Sequence, residues 1–216
     1  MPPVGVERRT KPEVLAFIAL IEKADGQLIP LRKRTADGKK LYITARYIVK
    51  PEKKNQGLQN AFFWRFGYTQ TLDAVLAIDV YMGEDTSTLT PLGHRDWAIE
   101  DSKASGAGNV HDAFIPKNKH EKLAQEKWIG DTAFKVEKDY QSQGVGTLML
   151  ATSAIVLPKM GVESFRIGAL LAPAKSTYKR FGIEQGDFVI NNEFVHLPME
   201  RLSQNPKVQE VISEFV

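Results

Sequence analysis

Gln141-Ser142-Gln143-Gly144-Val145-Gly146-Thr147 is a glycine-punctuated loop between a strand-like run, Trp128 to Val136, and an apolar run, Val145 to Leu157. The order strand, glycine loop, helix makes a cradle for a phosphate. Glycine has no Cβ, so the backbone bends tightly there and comes close to an anion. The first turn of the following helix carries N–H groups without an intrahelical partner at the positive end of its dipole, so several donors converge on one phosphate. A Gly-x-Gly pair alone is weak evidence, because such pairs serve as ordinary turns in most globular chains. The residues around this pair are more particular.

Gln141, Gly144 and Gly146 resemble the Gln/Arg-x-x-Gly-x-Gly/Ala signature, at the start of a helix, with which the GNAT acetyltransferases hold the coenzyme A pyrophosphate. A second element stands in register with it. A strand-like run, Ser164 to Leu171, precedes Ala174-Lys175-Ser176-Thr177-Tyr178-Lys179-Arg180-Phe181-Gly182-Ile183, which is similar to the family's Ala-x-x-x-Tyr-x-x-x-Gly-Phe segment. The resemblance covers residues 127–197, about a third of the chain. Ile183 replaces the usual Phe and Leu171 stands where Asn is common, both positions of packing or helix entry. Upstream of Trp128 there is no family signature.

This resemblance implies an α/β (α+β) fold: a mixed, mostly antiparallel sheet flanked by helices, in a GNAT-like domain over residues 1–197, with a C-terminal helical tail over 198–216. It implies an N-acetyltransferase that moves an acetyl group from acetyl-coenzyme A, as co-substrate and with no metal, to an amine acceptor by direct attack in a ternary complex. The amides of Ser142, Gln143, Gly144, Val145, Gly146 and Thr147 are implied to hold the pyrophosphate, Thr147 adding a hydroxyl and the Gln141 side chain steadying the loop. The backbone of Phe134 and Val136 is implied to pair with pantetheine, the Phe134 amide polarising the thioester carbonyl as a one-donor oxyanion site. Tyr178 matches the general acid: a phenol with a reference pKa near 10 stays protonated at neutral pH and can protonate a departing thiolate. Lys179 and Arg180 could reach coenzyme A phosphates in such a layout, and a solvated helix face explains them equally well. The alternative is a coenzyme A-binding module of the same fold without transfer, serving regulation or interaction with nucleic acid or protein; retention of Tyr178 favours the enzyme.

The family has no fixed general base, and Asp79, Glu84, Glu100, Asp131 and His111 remain candidates. The acceptor class, a small amine, a peptide or a protein, also stays open. The chain of 216 residues is 43% hydrophobic and 25% charged, enough apolar mass for one core. No apolar run approaches the ~20 residues needed to cross a bilayer, so no membrane partner is expected. The start lacks a hydrophobic signal region, which makes the cytoplasm the expected compartment. Cysteine is absent, removing disulfides and cysteine nucleophiles, so acyl transfer would be direct. His94, His111, His120 and His196 show no metal-ligand spacing, and each reads as a surface residue.

Charge is uneven. Residues 1–60 hold 13 Lys/Arg against 6 Asp/Glu, a net of +7, whereas residues 61–216 hold 16 against 20, a net of −4. A basic region can face coenzyme A phosphates or nucleic acid. Here a solvated face is the expectation, since the hairpin pattern puts Arg32 and Arg34 on one side and Lys33 on the other.

Lys11 to Ala24 spaces Val14, Leu15, Ile18 and Ile21 as an amphipathic helix, with Thr10 as a cap and Pro12 in the first turn. Leu28–Arg34 and Lys40–Val49, joined by Asp37-Gly38, read as a hairpin with Leu41, Ile43, Ala45, Tyr47 and Val49 on one face. Residues 51–56 read as a loop and the aromatic cluster Ala61 to Phe66 as core. Leu72 to Met82 is β-rich toward its end, with a first half that also suits a helix. Gly83 to Asn118, rich in Gly, Ser, Thr, Asp and Pro, reads as one long irregular stretch, a functional loop or a disordered one, and the family resemblance implies substrate-contacting loops there. Asp187–Ile190 and Glu193–Leu197 flank Asn191-Asn192 as a final hairpin. Pro206 to Val216 reads as a short amphipathic helix with Val208, Val211, Ile212 and Phe215 on one side, either capping the core or meeting a second subunit as a homodimer contact.

Overall fold

The computed structural model describes residues 11–49, 72–101, 127–162, 164–167, 172–183, 188–189 and 194–216. The Thr10 cap, the loop at 51–56, the aromatic cluster at 61–66, and His111 and His120 lie outside them.

Helix α1 (Pro12–Ala24) begins with Pro12, whose missing N–H costs nothing in the first turn, and ends at Asp25 (φ 45) and Gly26 (φ 82) in the left-handed region. It buries Val14, Phe17 and Ile21. Leu15, expected inside, is 53% exposed. Val14, Phe17 and Ile21 sit three and four residues apart on one stripe, and Leu15 falls about 100° to its side.

Strands β1 (Ile29–Arg34) and β2 (Lys40–Val49) pair antiparallel with Ile29 opposite Ile43 and Leu31 opposite Leu41. The expected Asp37-Gly38 turn joins them, with Gly38 at φ +86 and its amide donating to Thr35 O at 2.9 Å. Strands β3 (Leu72–Gly83), β4 (Thr90–Asp101) and β5 (Lys127–Val136) extend the antiparallel meander. Leu72 to Met82 is therefore strand throughout, and its helical alternative is excluded. The expectation of one irregular stretch from Gly83 to Asn118 is also overturned in part. Residues 90–101 form a twelve-residue strand at the centre of the sheet.

Beyond β5 come helix α2 (Val145–Val156), strand β6 (Ser164–Ile167), helix α3 (Ala172–Arg180), strands β7 (Phe188–Val189) and β8 (Phe194–Pro198), and helices α4 (Met199–Ser203) and α5 (Pro206–Phe215). The strand order is β1-β2-β3-β4-β5-β6-β8-β7. Among the described residues only β5 and β6 run parallel, as a strand–helix–strand crossover through α2 requires. The sheet is mixed and mostly antiparallel, as expected.

Helix α2 lies between the sheet and α5. Residues 147–154 are all buried, which suits a helix apolar on every side. Trp97 of β4 is fully buried, and its Nε1 donates to Ser153 Oγ of α2 at 2.7 Å. Gly93 on the same strand lets α2 come close: a Cβ there would stand 2.8 Å from Met149 Cε and 2.9 Å from Val145 Cγ1. Gly93 thus sets how closely the start of α2 rests on the sheet, and Trp97 holds its third turn. The tail expected to cap the core or meet a second subunit buries Val208, Val211, Ile212 and Phe215 in the same core.

Candidate functional site

The loop leaving β5 passes through a single 3₁₀ turn, Lys138–Tyr140, before α2. Gln141 closes it: its Nε2 donates to Val136 O at 3.2 Å, and Gln143 Nε2 donates to Asp139 O at 3.2 Å. Ser142 (φ 64) and Gly144 (φ 87, ψ −3) are both left-handed, a conformation natural to glycine and costly for serine. Gly144 is the N-cap of α2 and offers no side chain to it. The first helical bond runs from Leu148 N to Gly144 O at 2.8 Å, so the amides of Val145, Gly146 and Thr147 precede the hydrogen-bonded ladder. Helix α5 contrasts with this, because Asn205 accepts from Lys207 N at 2.9 Å and caps it.

A cavity of about 570 Å³ opens beside the loop. Ser142, Gln143, Gly144, Val145 and Thr147 form one wall, and Val211, Glu214 and Phe215 of α5 another. Four cationic side chains line it: Lys33 and Arg34 from β1, Arg180 from the last turn of α3, and Lys207 from α5. Of the two α3 cations singled out in the sequence, Arg180 reaches this cavity; Lys179 is exposed and does not line it. Gln141 and Gly146 complete the loop without lining the cavity.

The basic residues of β1 are held from within the molecule. Arg32 Nη2 donates to Ser213 O at 2.8 Å, Lys33 pairs with Glu214 and stands 4.3 Å above the Phe215 ring, and Arg34 Nη1 donates to Gly38 O at 2.9 Å. Cations at the negative end of α5 are worth about 0.3–1 kcal/mol each. Much of the charge at positions 32–34 therefore anchors the C-terminal helix.

Tyr178 lies apart from this cavity. It is fully buried on α3, and its hydroxyl accepts from Nη2 of Arg95, itself fully buried on β4. The Arg95 guanidinium carbon stands 4.5 Å from the centre of the Trp97 ring and 5.5 Å from that of Tyr178. In the sheet, Arg95 is directly opposite Phe134 of β5. A register shift one step further, between Asp96 and Trp97, leaves Thr132 as the extra residue on β5. Among the described residues the parallel β5–β6 ladder ends at Asp131 opposite Ile167, so Phe134 and Val136 lie past its last rung.

The opposite face of β4 carries a second polar group. His94 Nδ1 donates to Asp79 Oδ1 at 2.5 Å and its Nε2 to Asp96 Oδ2 at 2.7 Å. Asp96 is fully buried, and its Oδ1 has no hydrogen-bond partner among the described residues. A neutral imidazole has one N–H, so two carboxylates favour the doubly protonated ring. The bond to Asp79 first, then that to Asp96, pushes the His94 pKa up to about 10 against the opposing effect of burial. His94 was expected as a plain surface residue; it is a half-buried cation clamped by two acids. Asp79, one of the candidate bases, is its partner. Glu84 lies in the exposed β3–β4 turn.

A group whose folded pKa is raised stabilises the fold fully below its unfolded value. The contribution of His94 is therefore complete below about 6.5, declines as pH rises, and is gone above about 10. Urea unfolding from pH 6 to 10 is expected to show a stability loss that His94→Gln flattens. Parallel pH profiles for the two proteins would contradict this.

No family model matches the sequence, and no curated protein matches it. Structural matches do exist. One is to the KacTA–DNA complex, with a TM-score of 0.42 at 14% identity over 80% of this chain and 99% of that one. Another is to Arabidopsis thaliana NAA60 with acetyl-coenzyme A, with a TM-score of 0.43 at 12% identity over 72% and 98%. A third is to a cAMP-binding acyltransferase from Mycobacterium smegmatis, with a TM-score of 0.44 at 13% identity over 92% and 61%. With TM-scores below 0.5 these matches carry no argument about the chemistry, which rests on the chain's own residues.

Arg95, Asp96 and Lys207 were not singled out from the sequence; His94 was read as a surface residue, and Lys33 and Arg34 as parts of a solvated basic face. A further signal was the charged triplet His94-Arg95-Asp96 beside Trp97. It lies in a stretch whose prolines and glycines read as loop.

Proposed function

We propose that the chain is an N-acetyltransferase that binds acetyl-coenzyme A at the Gln141–Thr147 loop and passes the acetyl group directly to an amine. The observation that carries this is the uncapped α2 N-terminus, with left-handed Gly144, facing a cavity of about 570 Å³ lined by four cationic side chains. Backbone donors at a helix start and surrounding cations are what a pyrophosphate and a further phosphate require. Acetyl-coenzyme A would supply the activated thioester.

The residues would act as follows. The amides of residues 142–147 hold the pyrophosphate, and the Thr147 hydroxyl adds a donor. The backbone of Phe134 and Val136, past the last described β5–β6 rung, pairs with the pantetheine arm; the Val136 carbonyl is shared with Gln141. The Phe134 amide donates to the acyl oxygen. Tyr178 gives its proton to the leaving sulfur while the amine forms its new C–N bond, the C–S bond breaks, and the amine proton passes to solvent or a neighbouring base.

One observation favours the second reading, a coenzyme A-binding module without transfer: the Tyr178 hydroxyl is shut away from solvent and already engaged by Arg95. Calorimetry with acetyl-coenzyme A, followed by a thiol-release assay with a panel of amines, separates the possibilities. Binding with turnover is expected. Binding without turnover on any amine supports the module, and no heat at millimolar ligand overturns both.

A further inference from the structure

We propose that Arg95 is a positioning residue for acyl transfer, donating to the Tyr178 oxygen so that the phenol's own proton is the one presented to the leaving thiolate. The inference rests on the acetyl-transfer reading.

A phenol oxygen has one proton and lone pairs to accept with. Nη2 of Arg95 occupies the acceptor side of Tyr178, which directs the remaining O–H elsewhere. The guanidinium is permanently charged, so it holds its proton and acts through its field. When Tyr178 protonates the thiolate, a phenolate remains; the cation already bonded to it stabilises that product, and a later proton from solvent restores the phenol. Sulfur gains the proton that oxygen loses, and no other reactant is needed.

The placement makes this more than a buried contact. Taking a guanidinium fully out of water is expensive, and Arg95 is fully buried. The Trp97 ring, 4.5 Å from its guanidinium carbon, and the Tyr178 hydroxyl hold it from two sides. Its Cα is opposite that of Phe134, whose amide is proposed to meet the acyl oxygen. A single side chain therefore ties the strand that would hold the carbonyl to the helix that would hold the acid. Were this packing alone, an arginine would be a costly choice where a methionine of similar length would fill the space.

The test is a double-mutant cycle on the full chain. Arg95→Met is expected to lower kcat roughly tenfold or more, with acetyl-coenzyme A affinity by calorimetry within about twofold of the parent. In a Tyr178→Phe background the same change is expected to cost nothing further. Arg95→Lys, which keeps the charge and loses the planar fork, is expected to recover part of the rate. It also replaces the methionine variant in the cycle if that variant fails to fold. Equal losses from Arg95→Met with and without Tyr178 would overturn the proposal, as would Arg95→Met turning over like the parent. A parent that binds the donor but acetylates no amine would instead overturn the transfer reading itself.

Discussion

Gly144→Val is expected to weaken acetyl-coenzyme A binding at least a hundredfold while leaving a folded, less stable protein. Gly144 sits at φ +87, where a side chain costs about 1–2 kcal/mol and a β-branched one more. Any Cβ there would lie 3.2 Å from Cζ of Phe215, so the ring must yield by a few tenths of an ångström. The branches would stand over the amides that open α2, where the phosphate oxygens have to approach. Thermal unfolding should record the first two effects and calorimetry the third. Gly144→Asn separates them, since asparagine tolerates the left-handed region, and should recover stability more than binding. A valine variant that binds within tenfold of the parent would remove the loop from the site.

Tyr178→Phe is expected to lower turnover roughly a hundredfold or more, with donor affinity nearly unchanged. The ring is fully buried, and phenylalanine fills the same volume. The lost hydroxyl removes a partner of Arg95, and an orphaned buried donor costs about 1–3 kcal/mol, so rates are best compared well below the melting point. A variant as fast as the parent, with chemistry shown to limit the rate, would exclude Tyr178 as the acid.

The parts of this molecule governed by local rules were legible in the sequence. Asp37-Gly38 fixes a hairpin because glycine alone takes φ +86 cheaply. Val208, Val211, Ile212 and Phe215 are spaced for one helical face, and all four are buried. The strand, loop and helix around Gly144 follow the same logic. β4 was opaque for a physical reason. Thr90 to Asp101 carries Pro91 and Gly93 and places charge on both of its faces, Arg95 on one and His94 and Asp96 on the other. The alternation of apolar and polar residues that betrays a strand is erased where buried polar groups replace apolar ones. The side chains that most shape the candidate chemistry therefore lay in the segment least recognisable as structure. The cations around the cavity were hidden for another reason: Lys33 and Lys207 are brought together by α5 packing on β1, a contact no local pattern encodes.

Helix α5 joins segments that lie far apart in the sequence. Lys11 N donates to Gln209 Oε1 at 3.1 Å, Arg32 and Lys33 bond to Ser213 and Glu214, and Phe215 rests against Gly144. On the ribosome, β1 is made some 170 residues before α5, an interval on the order of ten to thirty seconds at ~5–20 residues per second. For the roughly 50 residues between α2 and α5 the outer side of α2 lacks the cover that α5 gives it, so the nascent chain carries an open apolar layer until α5 emerges. Vectorial synthesis and the fold are thus at odds, because β1 and α2 wait on α5 for their cover.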